Sequence, residues 1–316
     1  MDYKSEQRAR KVMIPIKCFT SSSIGPAPDL YKNFLEREKQ VSITWDDGFN
    51  FNDTSWFKVF HQCEPPEVLN IVDKLIEHHN FYDLILAWDE RVLKQCPNST
   101  FLTESACSWL DRKSGRISPA PLGQMRVEGY DKPQSNPVVA NYMPCDVMAK
   151  RFAVSYLTSQ KSWCPGHRLR QEIYAGLPEE VGQIVTFKHR SPPMWPDKRD
   201  ILEPFQYSII PENSRHNGYY TEKVVDCFVA MTIPVYWGCP DLYKYFNPEG
   251  FLTFSDFPDL MRVLEKLTPE YYMDHMQAVE ENYTTALKSV YQWDILEWAI
   301  TKGIYQKLRG LPCTGR

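Results

Sequence analysis

Short apolar runs alternate with amphipathic stretches through most of this chain, the rhythm of strands and helices following one another. Ile14 to Phe19 and Val41 to Trp45 are runs of strand length. Leu69, Val72, Leu75 and Ile76 recur at helical spacing and predict a helix starting near Pro65-Pro66, since proline is tolerated in a first turn. Asp83 to Trp88 is almost continuously apolar, as a parallel strand covered on both faces would be. Phe101-Leu102 is the next strand candidate.

From about Asp111 to Pro144 the periodicity fails, and Pro119, Pro121, Pro133, Pro137 and Pro144 crowd the stretch with Gly115, Gly123 and Gly129. It reads as an irregular connection between two domains, 1–145 and 146–316. A second series follows: strands at Phe152–Tyr156, Ile184–Phe187, Phe205–Ile210 and Ile233–Tyr236, with helices at about His167–Ala175 and Glu222–Met231. The end, from about Pro258 to Leu308, is helical, with Leu260, Val263, Leu264 and Leu267 as one apolar stripe. These helices are expected to pack back on the N-terminal domain or to form a dimer surface. The class is α/β, and open α/β sheets bind ligands outside the carboxyl ends of their strands.

Bulk properties narrow the partners. A net charge of −4 gives no global basic field, so no nucleic acid is expected. Aromatic residues reach 14%, which suits sugar handling and core packing equally. No run of 18 apolar residues occurs, so no transmembrane segment is expected, and the charged start from Met1 to Lys11 is followed by no apolar signal core. A cytoplasmic location follows, or a chain separated from a membrane anchor. The 9 cysteines show no close C-x-x-C pair, which argues against a zinc or redox motif. The sequons at Asn52, Asn98 and Asn282 are discounted as chance triplets.

The chemistry concentrates between Phe205 and Asp226. An apolar strand ends in Glu212-Asn213-Ser214, Gly218 turns the chain, and Tyr220-Thr221-Glu222-Lys223 opens an amphipathic helix. Thr221 is placed to cap that helix. Free N–H groups and the helix dipole make such a terminus receptive to phosphate. Lys223 in the first turn opposes the dipole, which makes sense where its partner is an anion; it could replace a divalent metal on a diphosphate. Glu222 could accept hydrogen bonds from ribose or sugar hydroxyls. An ordinary capped helix with a solvated Glu-Lys pair has the same pattern. Upstream, Gly166-His167-Arg168-Leu169-Arg170 starts another helix, and guanidinium binds phosphate oxygens in bidentate fashion.

The stretch from Phe205 to Phe251 resembles the donor-binding signature of family 10 α-1,3/4-fucosyltransferases. The resemblance is carried by Glu212-Asn213-Ser214, Tyr220-Thr221-Glu222-Lys223, Ile233-Pro-Val-Tyr-Trp-Gly238, Pro240 and Phe246-Asn-Pro248. It implies two Rossmann-like domains facing a central cleft (the GT-B arrangement), GDP-fucose as donor, a glycan acceptor and inversion at the anomeric carbon. It also implies that Lys223 and an upstream arginine hold the diphosphate. Counting from Tyr174 and Leu177, Arg170 falls on the arginine position, with Arg168 as the alternative. His167 is a further candidate for phosphate or base. Tyr236 and Trp237 are read as core or as pocket wall.

The resemblance further implies a glutamate general base in the N-terminal domain, near a strand end. Phe101-Leu102-Thr103-Glu104-Ser105 matches that position, which makes Glu104 the candidate; Asp46, Asp47, Asp89 and Glu90 compete with it. The sequence contains no Asp-x-Asp, so no metal and no cofactor are expected, and leaving-group stabilisation falls to Lys223 and an arginine. Two rival functions stand beside fucosyl transfer: the same scaffold with another sugar nucleotide, and a catalytically inactive nucleotide-sugar or glycan binder.

Overall fold

The computed structural model describes residues 16–19, 41–103, 105, 107, 146–190, 198–287, 300, 303, 306, 307 and 313. The proline-rich 111–144 stretch and Glu104 lie outside the described residues. The chain divides into two compact units, which are taken in turn.

The first unit is built on strands β1 (Ile16–Phe19), β2 (Val41–Trp45), β3 (Phe57–His61), β4 (Leu84–Ala87) and β5 (Ser99–Phe101). They pair in sequence order, every pair parallel. β4 shows why a continuous apolar run is needed there. Leu84 and Leu86 join one buried cluster with Val41, Ile43, Phe57 and Val59, whereas Ile85 and Ala87 join a second with Phe60, Val72 and Leu75. Ile300 and Cys313 belong to the first of these clusters, and Lys307 Nζ lies 2.8 Å from Asp83 Oδ1.

Two expectations change here. The helix predicted from Pro65 begins only at Val72, giving α1 (Val72–Glu77). Val68 and Leu69 both donate to the Pro65 carbonyl, so the prolines open a separate turn before the helix starts. β3 and a helix α2 (Glu90–Gln95) had no periodic signal of useful length. α2 is six residues long, capped by Asp89, which accepts from the Arg91 N–H at 2.8 Å.

The second unit is a six-stranded sheet of β6 (Arg151–Thr158), β7 (Glu180–Val181), β8 (Ile184–Arg190), β9 (Phe205–Pro211), β10 (Ile233–Trp237) and β11 (Leu252–Thr253), in the order β11-β10-β9-β6-β8-β7. All pairs are parallel except β7 with β8. One cluster joins Val154, Tyr207, Ile209 and Val235 to Ile173 of α3 (Pro165–Gly176) and to Leu260 and Leu264 of α5 (Phe257–Glu265). Another holds Val224, Val225 and Phe228 of α4 (Glu222–Val229) against Phe246, Phe251 and Ala286. The apolar stripe at the end of the chain is thus core, and α6 (Pro269–Asp274) and α7 (Met276–Leu287) follow α5.

α4 stops two residues before the predicted Met231. Met231 adopts left-handed backbone at φ 51°, its N–H donating to Phe228 and that of Thr232 to Cys227, the paired bonds of a helix-ending Schellman turn. Glycine usually fills that position, so its absence hid the stop. Domain boundaries also differ from 1–145 and 146–316. Ser105 and Cys107 go with the second unit, where Cys107 packs beside Tyr220, while Ile300 and the described residues after it go with the first. Among the described residues no helix is long and apolar enough to cross a membrane. Two sequons are structurally committed: Asn282 is buried and bonded to Asn247, and the Asn98 amide donates to the His79 and Tyr82 carbonyls.

Candidate functional site

β6 is flanked by β8 on one side and β9 on the other, so the strand order reverses beside it. Ligands of open α/β sheets bind at the carboxyl ends of strands where the order reverses. At that edge β6 leads into α3, and β9 ends at Pro211 and runs into Glu212-Asn213-Ser214. Every described donor-site candidate lies on these two exits or on the α4 N-terminus that follows.

The two exits are stitched together. The Gly166 N–H donates to the Asn213 carbonyl at 2.9 Å. A Cβ on Gly166 would stand 1.8 Å from the Glu212 carbonyl oxygen, so only glycine allows this approach. Arg170, one turn into α3 and 8% exposed, donates from Nε to Pro211 O at 2.9 Å and from Nη2 to both Pro211 O and Asn213 Oδ1. Its guanidinium is held by one edge, and its Nη1 donors carry no bond among the described residues. Of the two arginines weighed for this position, Arg170 is the one bonded to the β9 exit. Arg168 is exposed and reaches only the Trp163 carbonyl at 3.4 Å.

His167 is 2% exposed, packs edge-on to Trp163 at 4.6 Å, and its Nδ1 is buried without a hydrogen bond. Burial, then the neighbouring charges of Arg170, Lys161 and Lys223, push its pKa down to about 4, so the ring is neutral at physiological pH.

The α4 terminus hangs on Glu212, which is fully buried. Its carboxylate accepts from Thr221 N at 2.9 Å and from Thr221 Oγ1 at 2.8 Å. Thr221 caps α4 as expected, its hydroxyl accepting from the Lys223 N–H at 3.4 Å and from Lys223 Nζ at 3.0 Å. Gly238 closes the back: a Cβ there would meet Tyr236 Oη at 2.3 Å and Glu212 Cγ at 2.6 Å. Tyr236 is core, its hydroxyl accepting from the Cys239 N–H at 3.0 Å.

Lys223, placed where the helix dipole disfavours it, is held by carboxylates. Its Nζ lies 3.3 Å from Glu222 Oε1 and 3.5 Å from Glu212 Oε2. Burial depresses its pKa, but those two carboxylates outweigh burial and raise it. Burial by itself would raise the Glu222 pKa; Lys223, Lys198 and the Thr221 hydroxyl overcome this and bring it down to about 2. Glu222 is one-third exposed, and Oε1 is the oxygen that both Lys223 and Lys198 approach.

Tyr220 and Ser214 are buried beside this group. The Tyr220 ring packs on Tyr245 and Phe246, and burial raises its hydroxyl pKa. Three charged groups escaped the sequence reading. Lys198 bridges Asp226 and Glu222, and Asp241 accepts from the Gly218 N–H at 2.7 Å, fixing the turn where Gly218 sits at φ 74°. Lys198 lies in an aperiodic charged run, and Asp226 is a helix residue of ordinary spacing, so neither was marked by pattern.

Residues 149–299 match the sequence model of glycosyltransferase family 10 (fucosyltransferase), C-terminal part. An alpha-(1,3)-fucosyltransferase of Helicobacter pylori, FucT, is 33% identical over 82 residues, 26% of this chain and 17% of that protein. A putative fucosyltransferase of Acanthamoeba polyphaga mimivirus is 29% identical over 68 residues, 22% of this chain and 11% of that protein. The matched segments thus span less than a fifth of these relatives. Among solved structures, an α1,3-fucosyltransferase aligns with a TM-score of 0.48 at 16% identity, covering 91% of this chain and 92% of that one. An α1,3-fucosyltransferase solved with GDP-fucose aligns with a TM-score of 0.45 at 18% identity, covering 87% and 90%.

Proposed function

We propose, from the match of residues 149–299 to the model of glycosyltransferase family 10 (fucosyltransferase), C-terminal part, that the chain transfers fucose from GDP-fucose to a glycan hydroxyl, with inversion and without a metal ion. The observation that carries this reading is the family match together with the convergence of Arg170, Thr221, Glu222 and Lys223 at one reversal of strand order. In this reading the donor diphosphate lies against the capped N-terminus of α4, within reach of Lys223 and the open Nη1 edge of Arg170. Glu222 Oε2 accepts from a donor hydroxyl. Neutral His167 offers its ring nitrogens to the phosphate or base.

The reaction asks little covalent chemistry of this unit. The acceptor oxygen bonds to the anomeric carbon as the bond from that carbon to the β-phosphate oxygen breaks, and GDP leaves with the electron pair. The charge that grows on the diphosphate is met by Lys223, Arg170 and the helix N-terminus, groups already fixed by Glu212 and Pro211 before the ligand arrives. The acceptor proton passes to a carboxylate, for which Glu104 is proposed. Its rivals Asp46 and Asp89 have structural work: Asp46 is fully buried and accepts from Cys63 and Glu64 N–H groups, and Asp89 caps α2.

A donor panel tests the reading. Purified protein is assayed for transfer and donor hydrolysis with GDP-fucose, GDP-mannose and UDP-glucose, each with EDTA. Turnover of GDP-fucose in EDTA, lost in Glu104→Gln while GDP still binds, is the expected result. Preference for a uridine donor, or activity only after Mn²⁺ is restored, would overturn the donor or the metal-free mechanism respectively.

A further inference from the structure

Glu222 and Asp226 stand four residues apart on α4, an arrangement that puts two carboxylates on one helix face, where they repel. The repulsion is relieved by a residue outside the segment that resembles the donor signature. Lys198, in the turn ahead of β9, lies 2.8 Å from Asp226 Oδ2 and 3.5 Å from Glu222 Oε1. Its side chain is 12% exposed and that of Asp226 1%, so the pair is shielded from solvent screening and sensitive to loss of either member. The same Glu222 oxygen meets Lys223 at 3.3 Å, so one carboxylate oxygen is shared by two ammonium groups.

Resting on the reading of the α4 N-terminus as the donor site, we propose that Lys198 is a positioning residue: anchored by Asp226, it fixes the Glu222 carboxylate so that Oε1 orients Lys223 and Oε2 faces the donor. Removal of Lys198 leaves Glu222 beside Asp226 with one cation fewer. The carboxylate then gives up its fixed rotamer, takes up a proton more readily, or both. The charged groups around Glu222 are Lys223 and Asp226 on α4 and Lys198 from the turn, with Glu212 after β9 and Arg170 on α3 acting on Lys223. Burial would lower the Lys198 pKa, but Asp226 and Glu222 raise it, so Lys198 stays charged through the neutral range.

The test is calorimetric titration of GDP-fucose, from pH 5 to pH 8, into wild type, Lys198→Arg and the double variant Lys198→Met/Asp226→Asn. The double variant removes both charges of the buried pair, so the Asp226 carboxylate is not left without Lys198, and its melting temperature is recorded alongside. Wild-type affinity is expected to be flat over this range, because Glu222 remains ionised. The double variant should bind about ten- to a hundredfold more weakly at pH 7, the size of one lost charged hydrogen-bond contact. Lys198→Arg should stay within about threefold of wild type, since the charge and a donor remain. A double variant with wild-type affinity, or a Lys198→Arg variant weakened as much as the double variant, overturns the positioning role while leaving the donor site standing. A wild type that does not bind GDP-fucose removes the donor reading and this inference with it.

Discussion

Gly166 at the start of α3 lies so close to Glu212 at the end of β9 that an added Cβ would fall 1.8 Å from the Glu212 carbonyl oxygen. The contact is backbone against backbone, so no side chain can turn aside to relieve it. Gly166 also donates to Asn213, and Arg170 on the same helix holds Pro211. One glycine therefore sets the distance between the arginine and the α4 terminus.

Gly166→Ala should force α3 away from the 212–213 loop. Overpacking of this kind costs about 1–3 kcal/mol, and more where backbone must move. The expected outcome is a lower melting temperature together with weaker GDP binding, read by thermal denaturation with and without GDP. An unchanged melting temperature would show that the two exits can separate freely.

The two arginines of α3 should differ sharply. Arg168→Ala removes an exposed side chain and should leave stability within about 0.5 kcal/mol and GDP affinity unchanged. Arg170→Lys loses the fork that holds Pro211 while projecting toward the site, and should weaken GDP binding about tenfold or more. Equal effects of the two substitutions in a GDP titration would contradict the assignment.

How much of this was legible in the sequence depended on local signal. Thr221 was readable as a cap because capping is a matter of residue type and position, and the Leu84–Ala87 strand because both its faces had to be apolar. Lys223 was marked as a candidate by its wrong place in the helix dipole, and its carboxylate partners in the structure are Glu222 and Glu212. Long-range partnerships were not legible. Nothing near Arg170 in the chain announces Pro211, 41 residues away, and nothing near Lys198 announces Asp226, 28 residues away. The Met231 stop was missed because its left-handed turn uses a residue that shows no preference for it.

Asp46 predicts a pH dependence in the first unit. It is fully buried in left-handed backbone (φ 45°), and its Oδ2 has no hydrogen bond. Burial pushes its pKa from 3.8 up to about 7, against the Cys63 and Glu64 N–H groups that favour the ion. The folded chain therefore holds this proton more tightly than the unfolded chain. Its contribution to stability is full below about pH 4 and is lost as the pH rises through 7. Asp46→Asn keeps the Oδ1 acceptor, tolerates the same backbone and removes the charge. It should stabilise the fold on the order of 2 kcal/mol at pH 8 and much less at pH 4, in paired thermal melts. Destabilisation at pH 8 would mean that the carboxylate is needed there.

The most direct test of the donor site is titration of GDP-fucose into wild type and Lys223→Ala, both in EDTA. Lys223 is at the surface of its network, 27% exposed, so its removal should leave the melting temperature within a few degrees. The account predicts saturable binding by wild type and at least about a tenfold loss in Lys223→Ala, the effect of one charged contact to phosphate. Equal affinity in the two proteins would contradict it, and the α4 terminus would then be a capped helix with an internal Glu-Lys pair.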